Sequence, residues 1–226
     1  MRRSPTTLRC FSTLFLAVLL GGAAAAKAPL VLGTYAYPAL DRERALDPLA
    51  TLVETAFSQP VEIKLYKDPD AVAAAVTAGE VDVAVLNLGA WLRVARVSEV
   101  TPLAMLVPTP KVQDRYRAVL LARPALGLAN LAQVADSASR LRLAAVLPGS
   151  TSGGLVQLAA LTEPGGAAPR WHSVVYAGSH EAALTALANG DADLAAVAES
   201  PWRAWLGANP DPSRHPQEVW RSAPLP

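Results

Sequence analysis

Three consecutive hydroxyl residues between glycines form the pattern in this chain that is best suited to chemistry. Ser150, Thr151 and Ser152 lie at the centre of segment 149–154, between a strand-like run and a helix-like run. Hydroxyls and unpaired backbone N–H groups at the first turn of a helix favour a negatively charged ligand. The pattern therefore predicts a cradle for a small oxyanion. Capping of the helix is the alternative interpretation, because caps use the same residue types.

The same segment is poorly suited to covalent catalysis. A G-x-S-x-G elbow places serine at its centre, and Thr151 holds that position here. A hydrolase that pairs Ser152 with His180 is the alternative, although no orienting acid stands at a recognisable spacing. The three histidines are dispersed along the chain, so we predict no metal site and no cofactor.

Four further polar side chains lie near the ends of predicted strands or the starts of predicted helices. His180 starts a helix after a strand, and Tyr37 follows the first strand. Because ligands gather at the carboxyl ends of parallel strands, His180 could donate to an oxyanion and Tyr37 could line a pocket. Tyr116 enters the strand expected to cross between lobes, and Asp70 could bind a ligand ammonium group. Ordinary packing or surface exposure is the alternative interpretation of each.

The first 26 residues predict a secretory signal peptide. Three arginines precede an apolar stretch at Phe11–Leu20, and small residues follow as far as Ala26. The only cysteine, Cys10, precedes the apolar stretch, so we expect neither a lipid anchor nor a disulfide in the mature chain. The predicted location is the periplasm.

The charge balance argues against nucleic acid and anionic membranes as partners. Removing the three arginines of the signal peptide from 20 basic residues leaves 17, against 19 acidic residues, and no basic cluster remains. The mature part is long enough to bury a sizeable core, as one large domain or as two lobes. We expect a monomer that binds a small molecule.

Strand-like and helix-like runs alternate along the chain. The predicted strands cover residues 30–33, 61–65, 81–86, 103–107, 117–122, 142–147, 172–177, 192–197 and 218–221. The predicted helices cover residues 41–57, 70–77, 88–97, 152–162, 180–189 and 201–207. This alternation indicates βαβ units and a mainly parallel sheet.

One internal echo predicts two similar lobes. Residues 70–85 and 181–196 share an alanine-rich helix, a glycine, an acidic turn and an apolar strand. The glycines, Gly79 and Gly190, are typical of helix ends that need the left-handed backbone conformation. Any αβ unit can end in this way, so two ordinary αβ units are the alternative interpretation of the echo.

Three segments together resemble the phosphonate-binding (PhnD-like) solute-binding proteins of ABC transporters. They are GSTSG at 149–153, YAGSHEAA at 176–183 and NGDAD at 189–193. Weaker similarity extends from GTYAYP at 33–38 to WRSAPLP at 220–226, so the resemblance spans nearly the whole mature chain in order.

The resemblance implies a type II periplasmic binding fold, with two α/β lobes and a ligand cleft between them. It places a first lobe at 27–117 and a second at 118–226, shortened at the C-terminus without the family's return segment to the first lobe. It also implies that Ser150, Thr151, Ser152 and His180 hold phosphonate oxygens and that Tyr116 contributes. The implied function is capture of phosphonate, phosphite or phosphate for an ABC importer and its permease.

Two departures from the family pattern bear on the ligand and the partner. Asp70 stands where the family has a tyrosine, and its carboxylate would repel a dianion unless it meets an amino group or points away. Family members continue beyond the segment that ends here at Pro226, so a looser hinge is expected. The alternative function is therefore a sensory or accessory module of the same fold, which a signalling partner recognises.

Overall fold

The chain folds into two α/β lobes, each built on its own β-sheet. The computed structural model describes residues 27–38, 40–97, 99–106, 116–162 and 167–226. The signal peptide predicted for residues 1–26 lies outside the described residues. None of the described helices combines the length and the apolar character needed to cross a membrane.

The first lobe is a three-stranded parallel sheet with its connecting helices. Its elements are β1 (Leu30–Tyr35), α1 (Arg42–Phe57), β2 (Val61–Tyr66), α2 (Pro69–Thr77), β3 (Val83–Ala84) and α3 (Leu88–Val94). The strand order is β2-β1-β3, and β1 pairs in parallel with both neighbours. Asp41, Asp68 and Asn87 cap the three helices, each accepting the backbone N–H three residues on.

The second lobe is a five-stranded mixed sheet. Its elements are β4 (Ala118–Ala122), α4 (Leu131–Ser137), β5 (Arg142–Ala145), α5 (Val156–Leu161), β6 (Ser173–Tyr176), α6 (His180–Asn189), β7 (Leu194–Ala198), α7 (Glu199–Ala208) and β8 (Gln217–Arg221). The strand order is β6-β5-β7-β4-β8. β5 pairs in parallel with β6 and β7, whereas β4 is antiparallel to β7 and β8.

The core of the second lobe covers both faces of its sheet. Val119 and Leu121 of β4 pack in one cluster with α6 and α7, while Leu120 and Ala122 pack in a second cluster on the opposite face. Successive side chains of a strand point to opposite faces, so a strand covered on both sides is apolar throughout. All five residues of β4 and of β7 are accordingly buried.

Most of the predicted elements are confirmed, but one predicted strand is wrong and one predicted helix starts later than expected. Residues 103–106 form no strand, and Leu103 and Leu106 are 83% and 94% exposed, since none of the strands that the structure describes pairs with them. Residue 107 lies outside the described residues. Helix α4 was not expected. The prediction of mainly parallel strands is confirmed by four of the six strand pairings in the described part of the chain, whereas the two pairings of β4 are antiparallel. The helix predicted from residue 152 begins regularly only at Val156.

The end of the described chain lies beside the segment that leads into β4. The N–H of Ser222 donates to the carbonyl of Ala118 at 2.9 Å, and the N–H of Leu225 donates to the carbonyl of Tyr116 at 2.8 Å. Residues 222–225 therefore run antiparallel to 116–118, at the edge of the sheet where β5, β6 and β7 end.

Candidate functional site

The predicted site residues lie in loops that follow parallel strands. In the first lobe, Tyr37 follows β1, Asp70 follows β2 and Asn87 follows β3. In the second lobe, segment 149–152 follows β5 and His180 follows β6. The carboxyl ends of parallel strands share one edge of a sheet, so each lobe presents its loops together.

Direct hydrogen bonds join the two lobes at the hydroxyl segment. The N–H of Gly89, in the first turn of α3, donates to Thr151 Oγ1 at 2.9 Å. The side-chain amide of Asn87 donates to the carbonyl of Gly149 at 3.1 Å. A Cβ atom at Gly89 would lie 2.6 Å from that carbonyl oxygen and 2.5 Å from a methyl group of Leu155. This close approach requires glycine at position 89.

The hydroxyl segment forms a wide turn instead of the first turn of a regular helix. Thr151–Leu155 is a π-turn, in which Leu155 N–H donates to the Ser150 carbonyl at 3.0 Å and Val156 N–H donates to the Thr151 carbonyl. Gly153 and Gly154 take non-helical dihedral angles. Such a turn leaves the N–H groups of residues 151–154 without acceptors inside the helix.

The three hydroxyl residues differ in how deeply they are buried. Thr151 and Ser152 are 4% and 5% exposed, whereas Ser150 is half-buried and makes no side-chain cap bond. The segment was predicted to form the first turn of a helix, and the structure differs from this in two respects. Thr151 faces α3 of the first lobe, and the unpaired N–H groups belong to the wide turn.

Gln157 fixes the position of the wide turn. It is fully buried, and its side-chain amide donates to the carbonyls of Ser152, Val119 and Val197 at 2.8, 3.0 and 3.2 Å. These bonds tie the turn to β4 and β7 across the sheet. A buried amide shared in this way makes the backbone around Ser152 part of the rigid core.

His180 begins α6, and its side chain is held by the neighbouring strand. The backbone N–H of Ala198, at the end of β7, donates to His180 Nδ1 at 3.1 Å. Burial lowers the pKa of His180 below its usual value, although nearby Glu181 opposes this shift. The ring is therefore neutral at pH 7, with its proton on Nε2. Nε2 can donate one hydrogen bond to a ligand.

Tyr37 of the first lobe meets His180 of the second. Burial raises the pKa of the Tyr37 hydroxyl, and the nearby backbone N–H of His180 opposes this shift. The hydroxyl therefore keeps its proton at neutral pH. The adjoining loops also approach closely, since a Cβ atom at Gly178 would lie 3.9 Å from Pro38 Cγ.

Asp70 contacts the second lobe with its charge balanced. Its Oδ1 lies 3.0 Å from Arg93 Nε. The same oxygen lies against Gly149, where a Cβ atom would stand 2.1 Å from it. Gly149 also has a φ of +76°, so it needs glycine for its backbone conformation as well as for space. Pairing with Arg93 reduces the repulsion that an isolated carboxylate would exert on an anion.

Tyr116 stands apart from these contacts. It is half-buried, and its backbone carbonyl accepts from Leu225. Its hydroxyl takes part in none of the hydrogen bonds found within the described ranges. The structure thus brings Thr151 and Asp70 to the lobe contact and Tyr37 near His180. It places Tyr116 at the same edge, where its side chain shares no hydrogen bond with them among the described residues.

Sequence reasoning missed Asn87, Gly89 and Arg93. All three lie in or next to α3, directly after β3. The rule that drew attention to Tyr37 and His180, namely position after a parallel strand, would also have indicated Asn87. The hydrolase alternative gains no support, since Ser152 and His180 share no hydrogen bond in the part of the chain that the structure describes.

Solved structures define the class of fold. XAC2383 from Xanthomonas citri, determined with ATP bound, aligns with a TM-score of 0.65 at 21% identity, over 88% of this chain and 74% of that one. A binding-protein component of an ABC phosphonate transporter from Pseudomonas aeruginosa aligns with a TM-score of 0.60 at 18% identity, over 88% of this chain and 67% of that one. PhnD1 from Prochlorococcus marinus, determined with methylphosphonate, aligns with a TM-score of 0.55 at 16% identity, over 86% of this chain and 72% of that one. The chain thus has the two-lobed fold of periplasmic binding proteins.

The family follows from the sequence profile. The profile of the ABC transporter phosphonate periplasmic substrate-binding proteins matches residues 36–226. The chain belongs to this family, as its three segments predicted. The family consists of substrate-binding proteins for transport and is not a family of enzymes. No curated protein sequence matches the chain.

Proposed function

We propose that this protein captures a small phosphorus oxyanion, a phosphonate, phosphite or phosphate, between its two lobes. It delivers this ligand to the permease of an ABC importer. The protein reaches the periplasm through a cleaved signal peptide at residues 1–26 and acts there as a monomer. The first lobe covers residues 27–117 and the second covers residues 118–226.

One observation carries this proposal: hydrogen-bond donors from both lobes meet at one edge. Thr151 and the N–H groups of the wide turn contribute from β5, and His180 Nε2–H contributes from β6. Tyr37 adds a protonated hydroxyl from the first lobe. The ionised oxygens of a phosphorus oxyanion accept hydrogen bonds, so a site rich in donors suits them. Ser150, Ser152 and Tyr116 complete the proposed set.

The contact between Gly89 and Thr151 couples ligand binding to lobe closure. A hydroxyl can accept hydrogen bonds while it donates its own proton. Thr151 accepts from Gly89 at 2.9 Å and retains its proton for a ligand oxygen. A ligand held by the second lobe would therefore favour the arrangement in which α3 closes on it. Asp70 supports the same contact, because Arg93 balances its charge.

Calorimetric titration with phosphate, phosphite and methylphosphonate tests the proposal, with sulfate as the comparison anion. Thr151→Val keeps the shape and removes the hydroxyl. It should weaken binding by about 10- to 100-fold, the effect of losing one charge-assisted hydrogen bond. Thr162→Val is the matched control, since Thr162 bonds only to its own helix through Leu158. Equal affinity in both variants would make Thr151 purely structural.

His180→Asn separates ligand binding from folding at the second donor. The asparagine oxygen can still accept from Ala198 N–H, but no donor remains at the position of Nε2. We expect about 10-fold weaker anion binding with little change in thermal stability. Absence of binding by the wild-type protein to every phosphorus anion at millimolar concentration would refute the proposed function.

A further inference from the structure

A cavity of about 270 Å³ opens between the loop after β1 and the end of β5. Its lining includes Tyr37, Leu40, Arg42, Leu65, Lys67 and Leu147. Tyr37 belongs to the proposed anion site, and the carbonyl of Leu147 accepts from the N–H of Ser150 at 3.0 Å. The cavity therefore adjoins that site and has room for a small substituent on a ligand held there.

Arg42 differs from the other half-buried arginines of the described chain. Those four arginines pair with carboxylates: Arg117 and Arg221 with Glu199, and Arg123 and Arg142 with Asp193. Within the described ranges, no carboxylate lies at ion-pair distance from Arg42. A half-buried guanidinium that lacks an anionic partner is an unusual use of arginine, because its charge is only partly solvated.

The geometry of Arg42 leaves one donor unused. Its guanidinium carbon lies 3.8 Å from the centre of the Tyr35 ring, and Nη1 donates to Thr34 Oγ1 at 3.2 Å. These contacts hold the side chain in place. Its Nε–H is buried without an acceptor among the described residues. A buried donor of a charged group is costly to leave unpaired, and an anion in the cavity beside the guanidinium would offset part of this cost by balancing its charge.

The rest of the cavity wall is apolar or positively charged, apart from one engaged carboxylate. Lys67 is exposed and has no ion-pair partner in the described ranges. Asp41 also lines the cavity, but its carboxylate caps α1 by accepting from Arg44 N–H at 3.1 Å. The two cations therefore outnumber the one carboxylate, and leucines form the apolar part.

We propose that this cavity is a subsite for a second anionic group, so that the preferred ligand is a phosphonate whose substituent ends in a carboxylate. The inference rests on the proposed function, since the phosphonate end must be held at the site of Thr151 and His180. Arg42 and Lys67 are then the residues that determine specificity. An ammonium substituent would meet two cations here, and a plain alkyl group would leave the charge of Arg42 without an anionic partner.

Three phosphonates of similar length test the subsite by calorimetric titration. They are 3-phosphonopropionate, propylphosphonate and 3-aminopropylphosphonate, with methylphosphonate as the reference for the anion site alone. We expect 3-phosphonopropionate to bind at least about 10-fold more tightly than the other two propyl compounds. The protein used is the mature chain.

Charge-removing variants then assign the preference to the cavity. Arg42→Gln should reduce the ratio of affinities for 3-phosphonopropionate and propylphosphonate by about 10-fold or more. Lys67→Gln, which changes an exposed side chain and spares the fold, should reduce the same ratio by about 3-fold. Arg44→Gln and Lys64→Gln are the matched controls, because they remove one charge from α1 and β2 outside the cavity.

The outcomes distinguish this inference from the proposed function. If methylphosphonate binds but the carboxylate gives no advantage, the subsite is wrong and the proposed function stands. The subsite is also wrong if Lys67→Gln and the controls change the ratio equally. If none of the phosphonates binds, the proposed function fails and the subsite fails with it. A preference lost in Arg42→Gln and Lys67→Gln alone supports the subsite.

Discussion

In the first lobe, Val31 N–H donates to Asp82 Oδ2 at 2.7 Å, and Asp82 N–H donates to the Val31 carbonyl at 3.0 Å. In the second lobe, Arg142 N–H donates to Asp193 Oδ2 at 2.9 Å, and Asp193 N–H donates to the Arg142 carbonyl at 2.8 Å. The same two-bond arrangement therefore sets the register of neighbouring parallel strands in both lobes.

The two aspartates differ in their surroundings. Asp82 is exposed and has no cationic partner within the described ranges. Asp193 is 5% exposed and pairs with both Arg123 and Arg142. Hydrogen bonding from Arg142 lowers the pKa of Asp193 to about 2, although burial opposes this shift. Both lobes thus have the two hydrogen bonds of the aspartate, and only in the second lobe is that aspartate also paired with described arginines.

The second lobe also buries more of its equivalent elements than the first lobe does. β7 has five buried residues between two neighbouring strands, whereas β3 has two half-buried residues. Leu184 of α6 occupies the position that Ala73 holds in α2, so the second core is larger. Regions with fewer buried apolar contacts open first. We therefore expect the second lobe to be the more stable of the two.

The largest effect is expected from giving the second lobe the smaller core residue of the first. Leu184→Ala should lower the free energy of unfolding by about 3–4 kcal/mol, because buried methyl groups are lost and a cavity remains. Urea denaturation followed by circular dichroism measures this. Leu52→Ala is the control on α1, where Leu52 is 64% exposed, and it should cost less than about 0.5 kcal/mol. Similar losses would contradict the difference between the lobes.

The next effect concerns the paired aspartate. Asp193→Asn should lower the free energy of unfolding by about 2–3 kcal/mol, because two arginines lose their buried partner. Asp82→Asn should lower it by less than about 1 kcal/mol, since an exposed carboxylate loses one hydrogen bond. Urea denaturation at pH 7 compares the two variants. If Asp82→Asn cost as much, the arginines would add nothing to the arrangement.

A pH series tests the same pairing without mutation of the arginines. The pKa of Asp193 is about 2 in the folded protein and near 3.8 when unperturbed. Its stabilisation is therefore complete above pH 3.8 and is lost as the pH falls towards 2. The loss is on the order of 2 kcal/mol. Denaturation at pH 5, 4 and 3 should show a steeper decline for the wild type than for Asp193→Asn. Equal declines of the free energy of unfolding in the two proteins would contradict the stabilisation assigned to Asp193.

The smallest effect sharpens the comparison at the contact between the lobes. Asn87→Ala removes both the cap of α3 and the bond to Gly149, so the free energy of unfolding should fall by about 1.5–2 kcal/mol. Asn130→Ala removes only the cap of α4 and should cost about 1 kcal/mol. Thermal unfolding of the two variants gives the excess that belongs to the lobe contact. An equal loss would mean that the bond to Gly149 contributes nothing.

Local signals predicted the elements whose ends are fixed by their own residues. The helix predicted at 180–189 is confirmed as α6, because Ser179 caps its start and Gly190 ends it with a φ of +81°. α1 is confirmed for the same reason, with Asp41 as its cap. The echo between 70–85 and 181–196 predicted an acidic turn before a strand in each lobe, and Asp82 and Asp193 lie directly before β3 and β7.

Predictions that depended on distant partners were less successful. The apolar run at 103–106 has the composition of a buried strand, yet none of the described strands pairs with it. β4 has a fully apolar sequence that fits either direction, and only its neighbours β7 and β8 make it antiparallel. Gly153 and Gly154 looked like part of a helix start, but tertiary contacts of Gln157 hold them in a wide turn.

Residue type and local spacing were enough to predict the repeated αβ unit, the hydroxyl segment and the family. The folded structure was needed to show that Gly89 donates to Thr151, that Arg93 balances Asp70 and that no described carboxylate pairs with Arg42. Each of these contacts joins residues on different elements. Their geometry is set by how the sheets and lobes pack, which local propensity does not encode.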